Sequence, residues 1–459
     1  MRTATFLLLF LPALALAQPD SATLKRGEYL AIAGDCSACH RNPDNGHPFS
    51  GGYRISSPLG DIIATNITPS RVNGIGNYSL ADFRRVMREG RRRDGSYLYP
   101  AMPYTAFASL TDEDIAALYA WFMTGVPAED HQVPATQLPF PFSWRAMMAL
   151  WNGLFLSPQP LASGNAEAIG DARGEYLVKT LGHCGSCHTP RNVLMAEKSA
   201  SFLRGGAVGS WQAPDLTQAR LYAWSETELA TYLKTGSLPG KAIAAGEMAT
   251  VVENSFSRLT ESDRRSVARY LLTLGHAPAS THAAPTPPPR TIAAFETGPS
   301  ATLRGAIGGE QMSGAQLYNA ACASCHGAQG EGSRDAPQTF PRLTGTSAVL
   351  NANPANLIMT VAEGVDRTTA SGHAFMPAFS SQMSSAELAR LLDYVSTQFG
   401  AAGQHITEEQ VNHTLRHPRH SLWLQRAPWA GAGLLALLIC LGVWRYRSHK
   451  RRHHESTSL

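Results

Sequence analysis

Six of the seven cysteines in this 459-residue chain fall in three C-x-x-C-H units: Cys36-Ser37-Ala38-Cys39-His40, Cys184-Gly185-Ser186-Cys187-His188 and Cys322-Ala323-Ser324-Cys325-His326. With seven Cys and 16 His in the chain, chance would supply roughly 0.004 such units, so the pattern is a constraint. Two thiols one helical turn apart can add to the two vinyl groups of a haem, and the imidazole of the next residue then reaches the iron. Zinc wants four ligands, and each unit offers three with no fourth at finger spacing. A thioredoxin-like dithiol needs no adjacent His and a βαβ setting that the pattern lacks. The cysteines therefore predict three covalent haem c groups, held by Cys36 and Cys39, Cys184 and Cys187, and Cys322 and Cys325, with His40, His188 and His326 on the iron. The seventh, Cys440, lies in an apolar stretch and reads as a small hydrophobe.

The flanks of the motifs repeat as well. The first cysteines are spaced 148 and 138 residues apart, so each motif opens a unit of similar size. A short helical stretch precedes each: Arg26-Gly27-Glu28-Tyr29-Leu30, Arg173-Gly174-Glu175-Tyr176-Leu177 and Gly314-Ala315-Gln316-Leu317-Tyr318. Mid-unit helices are stopped by Gly90, Gly236 and Gly364. Each unit closes with an amphipathic helix behind a capping box, Thr111-x-x-Asp114, Thr260-x-x-Asp263 or Ser384-x-x-Glu387. Ten residues after each cap stands an aromatic, Trp121, Tyr270 or Tyr394. An opening helix with Gly crossing a closing helix with an aromatic resembles the cytochrome c domain. The expected fold is mainly α, with three tandem cytochrome c-like domains at 22–125, 165–276 and 305–400. Between them lie an apolar, Pro-containing connector at 126–164, read chiefly as interdomain packing, and a Pro-rich linker at 277–304.

What each iron can do depends on its sixth ligand, and Met closes the iron and favours electron transfer. Met102, Met248 and Met376 stand ahead of the closing helices, 62, 60 and 50 residues after the proximal His. They are the predicted sixth ligands. Met248 lacks the Pro that follows the other two. Met87 reads as core and Met383 as a packing residue before its cap, while His183 and His373 are rival ligands in the second and third units. Arg91-Arg92-Arg93 reads as a solvated loop.

Both ends of the chain read as addresses. Residues 1–17 combine Arg2, the run Phe6-Leu7-Leu8-Leu9-Phe10-Leu11 and an Ala15-Leu16-Ala17 end, which predicts a secretory signal peptide. Residues 427–444 carry no charge, are flanked by Trp423, Trp429, Trp444 and Tyr446, and precede five basic residues in the tail 445–459. That predicts a C-terminal transmembrane helix in the bacterial inner membrane, with haem domains on the periplasmic side and a basic cytoplasmic tail. Setting aside Arg2 and the tail leaves 33 basic and 34 acidic residues. The body is neutral, and no nucleic-acid partner is expected.

With these residues in view the chain resembles the triheme cytochrome c subunit of bacterial membrane-bound alcohol, aldehyde, gluconate and sorbitol dehydrogenases. Gly51-Gly52, Ala64-Thr65-Asn66-Ile67-Thr68-Pro69, Gly74-Ile75-Gly76-Asn77-Tyr78-Ser79 and Leu98-Tyr99-Pro100-Ala101-Met102-Pro103-Tyr104 carry the likeness in the first unit. Leu138-Pro139-Phe140-Pro141-Phe142 and Trp151-Asn152 extend it. His183 to Arg191 and Ala213-Pro214-Asp215-Leu216-Thr217 carry it in the second unit. The third resembles small cytochromes c generally.

The resemblance implies an electron-transfer subunit that takes electrons from a large dehydrogenase subunit and passes them to ubiquinone or another respiratory acceptor. The partner's cofactor, whether flavin, pyrroloquinoline quinone or molybdopterin, stays open. The chain lacks a G-x-G-x-x-G in a strand–helix setting, so substrate oxidation is expected elsewhere. Two alternatives remain at this stage. One is a haem protein with an open iron, a peroxidase or gas sensor. The other is an anchored electron donor to a terminal oxidase.

Overall fold

The computed structural model describes residues 19–157, 171–217, 224–274, 312–336, 339–400 and 405–416. Within them one packing event recurs three times. The opening helices Ser21–Ala33, Asp171–Tyr176 and Gly314–Ala321 cross the closing helices Asp112–Thr124, Glu261–Leu274 and Ser385–Phe399. Each crossing is made at a glycine. A Cβ on Gly27 would stand 2.1 Å from the Ala117 carbonyl oxygen and 2.6 Å from Trp121 Cβ. On Gly174 it would meet Ser266 O at 2.0 Å and Tyr270 Cβ at 2.7 Å, and on Gly314 Arg390 O at 2.2 Å and Tyr394 Cβ at 2.7 Å. No side chain fits there, so the backbones touch and the aromatic ring covers the crossing.

The caps of the closing helices divide into two kinds. Ser384 and Glu387 form a complete box, each satisfying the other's backbone N–H. At Thr111 and Thr260 only the hydroxyl half forms, accepting from Asp114 N and Asp263 N at 3.1 and 3.2 Å. The carboxylates are used elsewhere. Asp114 takes Arg26 at 2.8 Å and Asp263 takes Arg173 at 2.8 Å, tying each closing helix to its own opening helix.

Each carboxylate then receives a tyrosine from the other unit. Tyr29 donates to Asp263 at 2.7 Å and Tyr176 to Asp114 at 2.5 Å. The same phenols accept the cap N–H of Thr260 at 3.1 Å and of Thr111 at 3.5 Å. The first two units therefore clamp each other by a reciprocal exchange.

The hydrophobic core follows that pairing. One cluster runs through both units, from Leu30, Phe83 and Leu118 to Tyr176, Leu181, Leu233 and Leu271. The third unit keeps a separate core around Leu317, Ile358, Leu391 and Phe399. Its joints to the second are mostly polar: Gln212 and Asn356 exchange two hydrogen bonds of 2.8 Å, and Ser347 N donates to Lys241 O at 2.7 Å.

The connector packs back onto the first unit. Asn66 Nδ2 donates to Glu129 O, Tyr104 donates to Asn152 Oδ1 at 2.8 Å, and Trp151 donates to Leu194 O in the second unit at 2.9 Å. Its interdomain reading holds for this inner face, while Trp144, Leu150 and Leu154 face outward.

Two expectations need correction. The chain is not purely helical, because four antiparallel two-stranded sheets stand among the helices: Arg54–Ser57 with Gly60–Ile63, Arg204–Val208 with Trp211–Asp215, Ser237–Leu238 with Ala242–Ile243, and Val365–Thr369 with Gly372–Met376. Strands of two to five residues are too short to show a clear alternation in sequence. Secondly, no helix among the described residues is long and apolar enough to cross a membrane. The longest of them, Ser385–Phe399, has 15 residues and covers a core, where a span needs about 20 apolar ones. This finding stands against the membrane-anchored arrangement with a cytoplasmic tail. The segments read as a signal peptide, 1–17, as a membrane helix, 427–444, and as a tail, 445–459, lie outside the described residues, as does most of the linker 277–304.

Candidate haem sites

Each C-x-x-C-H unit forms a short helical turn that ends on its histidine: Cys36–His40, Gly185–His188 and Ala323–His326. The ring orientation is set the same way three times. His40 Nδ1 lies 2.6 Å from Thr65 O, His188 Nδ1 2.8 Å from Pro214 O, and His326 Nδ1 2.8 Å from Pro341 O. A carbonyl oxygen only accepts, so Nδ1 carries the proton and donates, and the lone pair rests on Nε2. Burial holds all three imidazoles below their ordinary pKa, against the opposing pull of the carbonyl. The result is three neutral histidines with an open Nε2, the form that ligates a metal.

The hairpins missed in the sequence supply part of this. Pro214 lies in strand Trp211–Asp215, and Thr65 follows strand Gly60–Ile63 by two residues. The third acceptor, Pro341, comes from a loop. Thr65 and Pro214 fall inside stretches quoted above for the family likeness, but nothing in their residue types marks them as carbonyl donors of geometry.

The six motif cysteines form no disulfide. Burial first, with smaller effects from neighbouring acidic and thiol groups, pushes the thiols of Cys36, Cys184 and Cys322 up to about 12. Cys39 is also pushed up to about 12, by burial and then by Asp35 and Glu247, with Arg41 opposing and Cys187 adding to the rise. Cys187 is raised to about 11 by burial and then by Glu247. The first two motifs thus face a common region, with Glu247 of the helix Gly246–Asn254 acting on both.

The three methionines stand on different local structures. Met102 lies in the turn before the short helix Tyr104–Phe107, Met248 in the first turn of helix Gly246–Asn254, and Met376 at the end of strand Gly372–Met376. All three are half-buried, and each packs on the core that also takes in a cysteine of its own motif: Met102 with Cys36, Met248 with Cys184, Met376 with Cys322. Among the rivals, Met87 and Met383 are both 5% exposed and belong to the core. His373 is exposed and its Nε2 is engaged by Asp366 at 2.8 Å. His183 holds the Leu181 carbonyl at 3.1 Å and packs edge-on against Phe107 of the first unit.

These donors fit a c-type haem: two unbridged thiols, a neutral imidazole with its second nitrogen anchored, and a thioether on the same core. Comparison with known proteins agrees. The chain is 39% identical to the fructose dehydrogenase cytochrome subunit of Gluconobacter japonicus, over 95% of this chain and 93% of that one. The chain belongs to the cytochrome c subunits of bacterial dehydrogenases.

Further relatives of this cytochrome c subunit are the cytochrome c subunit of a quinone alcohol dehydrogenase from Gluconobacter oxydans strain 621H and that of gluconate 2-dehydrogenase from Pantoea cypripedii. The first is 37% identical over 83% of this chain and 79% of its own length. The second is 36% identical over 84% and 88%. Residues 309–395 match the family described as "Cytochrome C oxidase, cbb3-type, subunit III". That match identifies one cytochrome domain where three tandem copies are expected from the motif spacing, and it corrects the three-domain reading. Membership implies covalent haem c and a role in electron transfer within a dehydrogenase complex.

Proposed function

We propose that this subunit carries three haem c groups and relays electrons from a substrate-oxidising dehydrogenase subunit to ubiquinone or another acceptor. The haems are held by Cys36, Cys39 and His40, by Cys184, Cys187 and His188, and by Cys322, Cys325 and His326. Met102, Met248 and Met376 complete the irons. The haem-bearing segments are 22–125, 165–276 and 305–400, joined through 126–164 and 277–304. Bound there, haem supplies a one-electron couple whose potential the axial ligands and surroundings set.

The observation that carries this reading is the threefold recurrence of one anchoring device, a motif histidine whose Nδ1–H is held by a backbone carbonyl at 2.6–2.8 Å. The relatives' roles as subunits of fructose, alcohol and gluconate dehydrogenases support a large catalytic partner. The shared surroundings of Cys39 and Cys187 support exchange between the first two sites. The test is the mass of the purified chain with an alkaline pyridine spectrum. Three haem additions per chain are expected, falling to two in the Cys322→Ser/Cys325→Ser variant. Two additions in the native chain would refute the count.

A further inference from the structure

Two arginines are buried among the described residues, and they are satisfied differently. Arg264, 6% exposed, places Nη1 on the carbonyls of Phe256 and Leu259. Arg367, 2% exposed, places Nη1 on Ala244 O at 2.6 Å and has no carboxylate within ion-pair distance among the described residues. A buried charge without a counter-charge costs several kcal/mol, so cations are rarely left this way.

Arg367 also sits across a boundary. It belongs to strand Val365–Thr369 of the third unit, which packs on helix Gly246–Asn254 of the second. Ala244, its hydrogen-bond partner, is four residues before Met248. The guanidinium lies over Gly236, whose φ is +70° and where a Cβ would stand 2.6 Å from Arg367 Cζ. Tyr232 completes the corner, and the nearby positive charge partly offsets the upward push of burial on its phenol. A glycine has made room for this side chain, and the surroundings supply dipoles but no anion.

We propose that Arg367 is the counter-cation for a carboxylate of the haem at Cys184, Cys187 and His188, so that the third unit sets the potential of the second site. Haem carries two carboxylates that need partners when covered, and Arg is the side chain best suited to pair with one. The inference rests on the second site holding a haem. A cation beside the haem favours the added electron, so its removal makes that haem harder to reduce.

The test is a spectroelectrochemical titration of the full chain carrying Arg367→Gln, with Arg367→Lys beside it. With three haems retained, Arg367→Gln is expected to move the reduction equilibrium of one haem about tenfold toward the oxidised form, 59 mV for a one-electron couple. Arg367→Lys, which keeps the charge, should restore most of it. Unchanged potentials in folded Arg367→Gln would overturn the proposal, as would an equal shift in both variants. Arg367→Met serves if the amide variant does not fold, since a packed apolar group often replaces a buried charge, and it is expected to lower the potential likewise. Failure of the underlying reading looks different: the Cys184→Ser/Cys187→Ser variant would then keep the native haem count.

Discussion

Tyr29 and Asp263, 234 positions apart in the sequence, share a 2.7 Å hydrogen bond in which the phenol donates to the carboxylate. With its counterpart from Tyr176 to Asp114, it makes the first two units a single folding body, over a core that neither owns alone. A hydrogen bond to a buried charged acceptor contributes about 1.5–3 kcal/mol. Tyr29→Phe and Tyr176→Phe should each destabilise the paired units by that amount in urea unfolding. The third unit, with its own core, should unfold as in the native chain.

The same contact sets a pH dependence. Burial alone would raise the Asp263 carboxyl, but hydrogen bonding and charge from Arg173, with the Tyr29 phenol, hold it below its ordinary 3.8. A depressed carboxyl stabilises the fold above its unfolded pKa, and the contribution is lost as pH falls through the folded value. Acid unfolding followed by circular dichroism should therefore begin below about pH 4, near the unfolded carboxylate value. Arg173→Gln should move its midpoint to higher pH, with little change at pH 7 beyond the lost stability.

The glycine crossings give a steric prediction. A Cβ at Gly27 or Gly314 would lie 2.1–2.2 Å from a backbone carbonyl of the closing helix, and backbone cannot swing aside as a side chain can. Overpacking of this kind costs about 1–3 kcal/mol, sometimes more. Gly27→Ala and Gly314→Ala should each lower the melting temperature, and Gly314→Ala should do so in the transition of the third unit.

How far the sequence foretold this follows from the range of each interaction. The C-x-x-C-H units, and the Gly27, Gly174 and Gly314 crossings on Trp121, Tyr270 and Tyr394, were legible because each depends on a fixed local spacing. The caps at Thr111 and Thr260 were legible only in their hydroxyl half. Their carboxylates looked local but are claimed by Arg26 with Tyr176 and by Arg173 with Tyr29, and no spacing rule reaches across such separations. The carbonyls of Thr65, Pro214 and Pro341 were invisible for another reason, since every residue carries one and only the fold decides which faces a ring. Arg367 shows both limits: in sequence it is one cation in a polar strand, and its burial depends on Gly236 in another unit.

The methionines can be separated by what replaces them. If Met102, Met248 and Met376 close the irons, removing the thioether opens one coordination position and lowers that haem's potential, because Met raises it relative to weaker ligands. Met102→Ala and Met376→Ala should bind carbon monoxide in the reduced state, each at one haem per chain, while the native protein binds none readily. Met248→Ala is the sharper case. Met248 stands in a helix and not in an extended turn or strand, and His183, held on Leu181 O and against Phe107, lies just before the second motif. Carbon monoxide binding by Met248→Ala, with none by His183→Ala, is the expected pair of results. The reverse pair would move the second site's sixth ligand from Met248 to His183.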